Sequence, residues 1–178
     1  AAGVGVAGVG EQAGEPQLEV WGRNLLAGLA WSAGDADRIV AELEASQALS
    51  GQPDPALAAR AQVMLAHAAF LAGDLAGQDR HGLLAIKLAR TAAGQEGLVL
   101  ALTSWSISAV AGAGIQPATV AALDEAVTVI AAHPDRFAGL AAANLSKPME
   151  AVRELRRCVT ELGFKGLRVI PWLWEAPP

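Results

Sequence analysis

The chain has 178 residues and a mass of 18.2 kDa, with 53% hydrophobic and 17% charged residues, a mean hydropathy of +0.34 and 40 alanines against 4% aromatic residues. That composition excludes a disordered chain, limits the fold to one domain or two small ones, and favours close-packed helices over a β-sandwich. A net charge of −5 argues against nucleic-acid binding through a basic surface, and the single cysteine, Cys158, excludes an internal disulfide and a thiolate metal cluster.

The chain opens Ala1-Ala2 without an initiator methionine, which fits a processed, trimmed or partial chain. Residues 1–10 carry no charge and so lack the basic region of a secretory signal, and a cytoplasmic location is expected. Gly3-Val4-Gly5-Val6-Ala7-Gly8 has the letters of a dinucleotide loop. Only two alanines precede it, which leaves no room for the required strand, and Glu11 and Glu15 would repel phosphate. Residues 1–17 therefore read as a flexible, apolar, Gly-rich leader.

Residues 18–132 read as paired helices. Leu25-Leu26-Ala27-Gly28-Leu29-Ala30-Trp31-Ser32-Ala33-Gly34-Asp35 is echoed, 39 residues later, by Met64-Leu65-Ala66-His67-Ala68-Ala69-Phe70-Leu71-Ala72-Gly73-Asp74. Each Gly-Asp closes one helix with a left-handed glycine and opens the next with an aspartate cap. A fainter third copy, Thr103–Gly112, puts Gly112 in the capping place. Asp54-Pro55 is an N-cap followed by proline in the first helical position. Helices are predicted near 18–33, 36–49, 55–72, 77–92, 97–111 and 117–132, the last from Val120, Leu123, Val127 and Ile130 behind Pro117. Gly97–Leu123 is uncharged and Leu98–Ile115 within it is long enough for a membrane span, but Thr103, Ser104, Ser106 and Ser108, with Pro117 close behind, favour a buried bundle helix. Over roughly residues 20–115 this pattern resembles tetratricopeptide-like arrays, in particular the helical-repeat regions of LuxR-type transcriptional regulators. The resemblance implies a concave face that binds peptides or partner domains.

From His133 the character changes. A short apolar segment near 138–144 is followed by a helix from Pro148 to Leu162. Its apolar stripe is Val152, Leu155, Val159 and Leu162, and Gly163 is its cap. A strand near 167–171 comes next. Strand, helix and strand over this length form a βαβ unit, whose two strands must pair in parallel. The fold class expected is mainly α: stacked antiparallel helical hairpins followed by a small βαβ unit over 133–178.

The run His133-Pro134-Asp135-Arg136-Phe137, the helix Ala151–Leu162 and Gly163-Phe164-Lys165-Gly166-Leu167-Arg168-Val169 resemble the metal-dependent amidohydrolase-related family, in its branch of hydrolases and decarboxylases of aromatic or unsaturated carboxylic acids. Lys147 departs from that pattern, which places an aspartate cap before the proline. The resemblance implies a (β/α)₈ barrel with a divalent metal at its C-terminal mouth, held by histidines and an aspartate on several strands. The stretch His133–Pro178 corresponds to one βα step and the next strand. No His-x-His occurs in this chain, so no metal or other cofactor is assigned to it, and no catalytic residue. The expectation is a truncated or fused member without a working centre. The alternative is a helical-repeat interaction module, with a protein partner or self-association and neither nucleic acid nor membrane as partner.

Several single residues carry chemistry worth placing. His67 lies on the packed side of its helix and reads as a core or groove histidine. His81 follows Asp79-Arg80 in an apparent loop, where solvation is preferred to a metal cluster with Asp74. His133 ends a helix, where an imidazolium complements the dipole. Cys158 has Arg156 and Arg157 beside it, which favour a thiolate, but its neighbours Leu155 and Val159 argue for a buried, inert thiol. Pro171, Trp172 and Trp174, just past the second strand, are either a substrate-pocket wall or an exposed apolar surface.

Overall fold

The computed structural model describes residues 16–49, 54–92, 94–114, 116–141 and 148–168. These comprise helices α1 (Pro16–Ala33), α2 (Ala36–Leu49), α3 (Pro55–Leu71), α4 (Leu75–Thr91), α5 (Glu96–Ala113) and α6 (Pro117–Ala132), then strand β1 (Leu140–Ala141), helix α7 (Pro148–Thr160) and strand β2 (Gly166–Leu167). The protein is mainly helical. Every helix end lies within two residues of its sequence expectation. The backbone divides into two compact units, Ala1–Leu123 and Asp124–Pro178, with the division inside α6.

In the first unit the two Gly-Asp junctions are built alike. Gly34 and Gly73 both have φ +74°. The Asp35 amide donates to Ala30 O and the Gly34 amide to Trp31 O. Asp74 and Gly73 repeat this to Ala69 O and Phe70 O, all at 2.9–3.0 Å. That pair of bonds satisfies carbonyls which the helix end leaves open. Each aspartate then caps the next helix: Asp35 Oδ1 accepts from the Arg38 amide at 3.0 Å, and Asp74 Oδ1 from the Gly77 amide at 2.8 Å. Asp54 caps α3 by accepting from the Ala56 amide. The third copy departs from the pattern. α5 runs through Gly112 and ends at Gly114, φ +74°, whose amide donates to Val110 O. Ala113 stands where the other copies have aspartate, so nothing pins the junction two residues earlier.

α1 packs on α2 and α3, α2 also meets α3, α3 packs on α4 and α5, and α4 on α5. Ala27, Ile39, Leu43, Val63, Ala85 and Leu102 are buried almost completely between them. Each Leu or Ile so buried contributes roughly 1.5–3 kcal/mol relative to exposure. Alanine and glycine let the helices come close: a Cβ added at Gly82 of α4 would run into the indole of Trp105 on α5. The uncharged segment takes in α5 from Gly97 and the start of α6, and in α5 Ala101, Leu102, Trp105 and Ser106 are buried. Among the described residues no helix is long and apolar enough to cross a membrane.

In the second unit β1 and β2 pair in parallel, Leu140 opposite Gly166 and Ala141 opposite Leu167, as a helical crossover demands. The Lys165 amide donates to Gly139 O, and the Arg168 amide to Ala141 O at 2.7 Å. The Phe164 ring lies against Gly139, where a Cβ would collide with it. Gly163, φ +68°, follows α7 as expected. The buried side of α7 is not the predicted stripe. Ala151 and Cys158 are buried, whereas Val152 and Val159 are about half exposed.

Candidate functional site

Because β1 and β2 run in parallel, their carboxyl ends, Ala141 and Leu167, share one edge. Ligands of parallel α/β proteins gather at that edge, where loops leave the strands. Arg168 is the first residue past β2 and is exposed there. A guanidinium in this place offers a planar pair of donors matched to a carboxylate. Pro171, Trp172 and Trp174 follow Arg168 and lie outside the described residues, as do Lys147 and the Gly3–Gly8 leader motif.

On α7, Glu154 receives two bonds from Arg157, at 2.7 and 2.9 Å, and Cys158 Sγ donates to Glu154 Oε1 at 3.5 Å. The Arg157 bond holds the Glu154 carboxyl below its usual range. Cys158 moves the other way: burial first, then the bond to Glu154, pushes its thiol up, and Arg157 only partly opposes this. The arginines that flank Cys158 in sequence therefore do not activate it, because Arg157 is spent on Glu154.

The histidines are dispersed. His67 is buried on α3 and stacks flat against Trp31 of α1, with centroids 4.1 Å apart and planes at 14°. His81 is not in a loop. It sits within α4, and its Nδ1 donates to Gln62 Oε1 at 2.8 Å. Burial, then the charge of Arg80, holds it below the ordinary histidine value, with Asp74 opposing. His133 follows α6, its carbonyl accepting from the Arg136 and Phe137 amides and its ring set edge-on to Phe137.

The Gln62–His81 pair also has a counterpart. Subtracting 39 from each number gives Arg23 and Glu42, which are bonded between α1 and α2 at 3.2 Å, while Arg23 also holds Glu19 at 2.9 Å. The repeat thus places one polar bridge at the same point of each hairpin. The signal was present in the sequence: positions 23, 42, 62 and 81 are all polar, in two pairs with the same separation. A further bond, Trp105 Nε1 to Asp79 Oδ1 at 3.0 Å, ties α5 to α4 and had no such signal.

No three His, Cys, Asp or Glu side chains converge among the described residues. The divalent metal implied by the tail's resemblance therefore finds no donor set there. His67 is stacked, His81 is tied to Gln62, Glu154 is held by Arg157, and Asp35, Asp54 and Asp74 cap helices.

The family model described as Amidohydrolase matches residues 66–178, a span that begins inside α3 and takes in α4, α5 and α6 as well as the tail. A gamma-resorcylate decarboxylase of Rhodococcus jostii (strain RHA1) is 62% identical over 39 residues, 22% of this chain and 12% of that protein. A gamma-resorcylate decarboxylase of Polaromonas sp. (strain JS666 / ATCC BAA-500) is 39% identical over 77 residues, 43% of this chain and 24% of that protein. The matched stretches thus span between 12% and 24% of these curated relatives. No solved structure matches.

Proposed function

The chain belongs to the amidohydrolase family, and from that premise we propose that its second unit is a strand–helix–strand step of a (β/α)₈ barrel in the carboxylic-acid branch, the β1–β2 carboxyl edge facing the substrate. The observation that carries this reading is the parallel pairing of Leu140 with Gly166 and Ala141 with Leu167 across α7, inside the family-matched span. The relatives' name, gamma-resorcylate decarboxylase, supplies the substrate class: an aromatic carboxylate. In this reading Arg168 meets the carboxylate, and Pro171, Trp172 and Trp174 form an apolar wall for the ring. In this reading the chain by itself binds but does not turn over, a view supported by the absence of three converging His, Cys, Asp or Glu side chains among the described residues. The location is cytoplasmic.

The test is a titration of the purified chain with γ-resorcylate, followed by tryptophan fluorescence, with carbon dioxide release measured in parallel with and without zinc or manganese. Saturable quenching that is lost in a Trp172→Ala, Trp174→Ala double variant and weakened in Arg168→Ala is expected, with no release. Absence of quenching overturns the substrate edge, and turnover overturns the binding-only reading.

A second reading concerns the first unit: a tetratricopeptide-like stack of hairpins that acts as a protein-interaction module. It is favoured by the doubled Gly-Asp cap and the doubled polar bridge, which make two consecutive hairpins alike in hydrogen bonding as well as in sequence.

A further inference from the structure

We propose that Gln78 and Ser106 hold an internal water molecule in the seam where α3, α4 and α5 meet. Gln78 is 1% exposed and Ser106 fully buried, and neither Gln78 Nε2 nor Ser106 Oγ has a hydrogen-bond partner among the described residues. Native proteins rarely leave such groups bare; those without a protein partner bind an ordered water. The two side chains point to one place. On α4, His81 faces α3 through its bond to Gln62, while Gly82 lies against the indole of Trp105 on α5. At about 100° per residue, Gln78 falls between these two directions and so enters the seam, where all three helices pack on one another. Ser106 reaches it from the other side. α5 packs on α3 and α4 as α3 packs on α1 and α2, one repeat earlier. Ser106 stands where α3 has His67, which faces back onto Trp31 of α1, so Ser106 faces back onto α3 beside the Trp105 contact.

The repeat also shows that this seam has room. In the first seam, between α1, α2 and α3, the corresponding positions hold Ile39, His67 and Trp31, with His67 and Trp31 in flat contact. In the second they hold Gln78, Ser106 and Phe70. Isoleucine to glutamine changes volume little, but histidine to serine and tryptophan to phenylalanine are both reductions. Nearby, the loss from Leu43 to Gly82 is made good by the growth from Ala66 to Trp105, whose ring occupies the place of a Gly82 side chain. Among these positions nothing offsets the loss at Ser106. A space no larger than an imidazole, edged by an amide and a hydroxyl, suits one water. That water accepts from Gln78 Nε2 and donates to Ser106 Oγ, which gives it the polar partners an internal water needs.

The test is oxygen-17 relaxation dispersion of water in a solution of the full chain, which counts internal waters that exchange slowly. The wild type is expected to hold one more such water than the Gln78→Leu, Ser106→Ala double variant. Ser108→Ala, at another buried serine of α5, is expected to match the wild type. Urea unfolding gives a second reading. Gln78→Leu and Ser106→Ala should each lower the midpoint, because each takes one partner from the water and strands the other group. The double variant should lose less than the sum of the two, since the pair acts through one molecule. Should the double variant lose helix by circular dichroism, Gln78→Met, which keeps the side chain's length and removes its donor, replaces it in the dispersion measurement and should also lose one water. Equal dispersion in wild type and double variant overturns the proposal. So does a midpoint raised by Gln78→Leu, additive losses in the double variant, or disappearance of the water in Ser108→Ala.

Discussion

Replacing Gly73 by alanine isolates what the repeat junction contributes. The φ of +74° places this residue in the left-handed region, where a Cβ costs roughly 1–2 kcal/mol. A Cβ there meets no atom within 4 Å, so no clash adds to that figure. The loss of glycine's freedom in the unfolded chain offsets about 0.4–1 kcal/mol. The net expectation is a loss of about 1 kcal/mol, or a urea midpoint lower by ~0.5 M for a slope near 2 kcal/mol/M. Gly34→Ala shares the same φ, the same open space and the same two backbone bonds, so its loss should match. Asparagine tolerates the left-handed region better, so Gly73→Asn should lose less than Gly73→Ala. Gly28, inside α1 with equally open space, supplies the opposite sign: Gly28→Ala should gain about 0.5–1 kcal/mol. Urea unfolding followed by circular dichroism reads all four. Unequal costs at positions 34 and 73, or a gain at either, would refute the argument that both hairpins close by one device.

Three further outcomes are expected. His81 sits below its ordinary pKa, so the unfolded chain takes up its proton first; stability is full above the unfolded value and falls as pH drops through it, and His81→Gln should flatten that part of a urea-midpoint profile between pH 7.5 and 5. Cys158, buried and shifted upward, should react with iodoacetamide at least roughly tenfold more slowly in the native chain than in urea. Asp79→Ala should cost about 1–2 kcal/mol by stranding the Trp105 indole N–H, Asp79→Asn less, and Gly82→Ala about 1–3 kcal/mol by crowding the same ring, all by urea unfolding.

The helices were legible because their ends are written in residues with one physical use. Gly34-Asp35, Asp54-Pro55, Gly73-Asp74 and Gly163 each mark a boundary that the structure keeps. Where the punctuation is ambiguous the reading slipped. Ala111-Gly112-Ala113-Gly114 offers two glycines and no aspartate, and the helix takes the later one. Asp79-Arg80-His81 looks like a loop because α4 turns a polar face outward there, although the residues on either side, Gln78 and Gly82, are buried. On α7 hydrophobicity alone chose Val152 and Val159 for the inner face. The enclosed residues are Ala151 and Cys158, which lie beside the hydrophobic stripe and not on it. The edge chemistry was legible only as a place: the residues expected to fill it, Pro171, Trp172 and Trp174, lie outside the described region. The family's reach back to residue 66 left no trace in motifs, since alanine-rich helices carry few residues whose chemistry identifies them.

That reach changes how the two functional readings relate. The family-matched span begins inside the second copy of the repeat and leaves the first copy, Leu25–Asp35, outside it. Yet the two copies share φ at the capping glycine, the same pair of backbone bonds, the aspartate cap, and a polar bridge at one point of the hairpin. Agreement at four independent features exceeds what shared alanine content requires, because alanine dictates neither a cap nor a bridge. The hairpin device is thus common to matched and unmatched sequence. A division into a repeat segment that binds and a tail that carries family ancestry does not follow the chain's own bonds. Variants in the two copies test this directly: Gly34→Ala perturbs a hairpin outside the matched span, Gly73→Ala a junction within it. Equal stability costs for Gly34→Ala and Gly73→Ala would show that the device works alike on both sides of the boundary of the family match, and unequal costs would refute it.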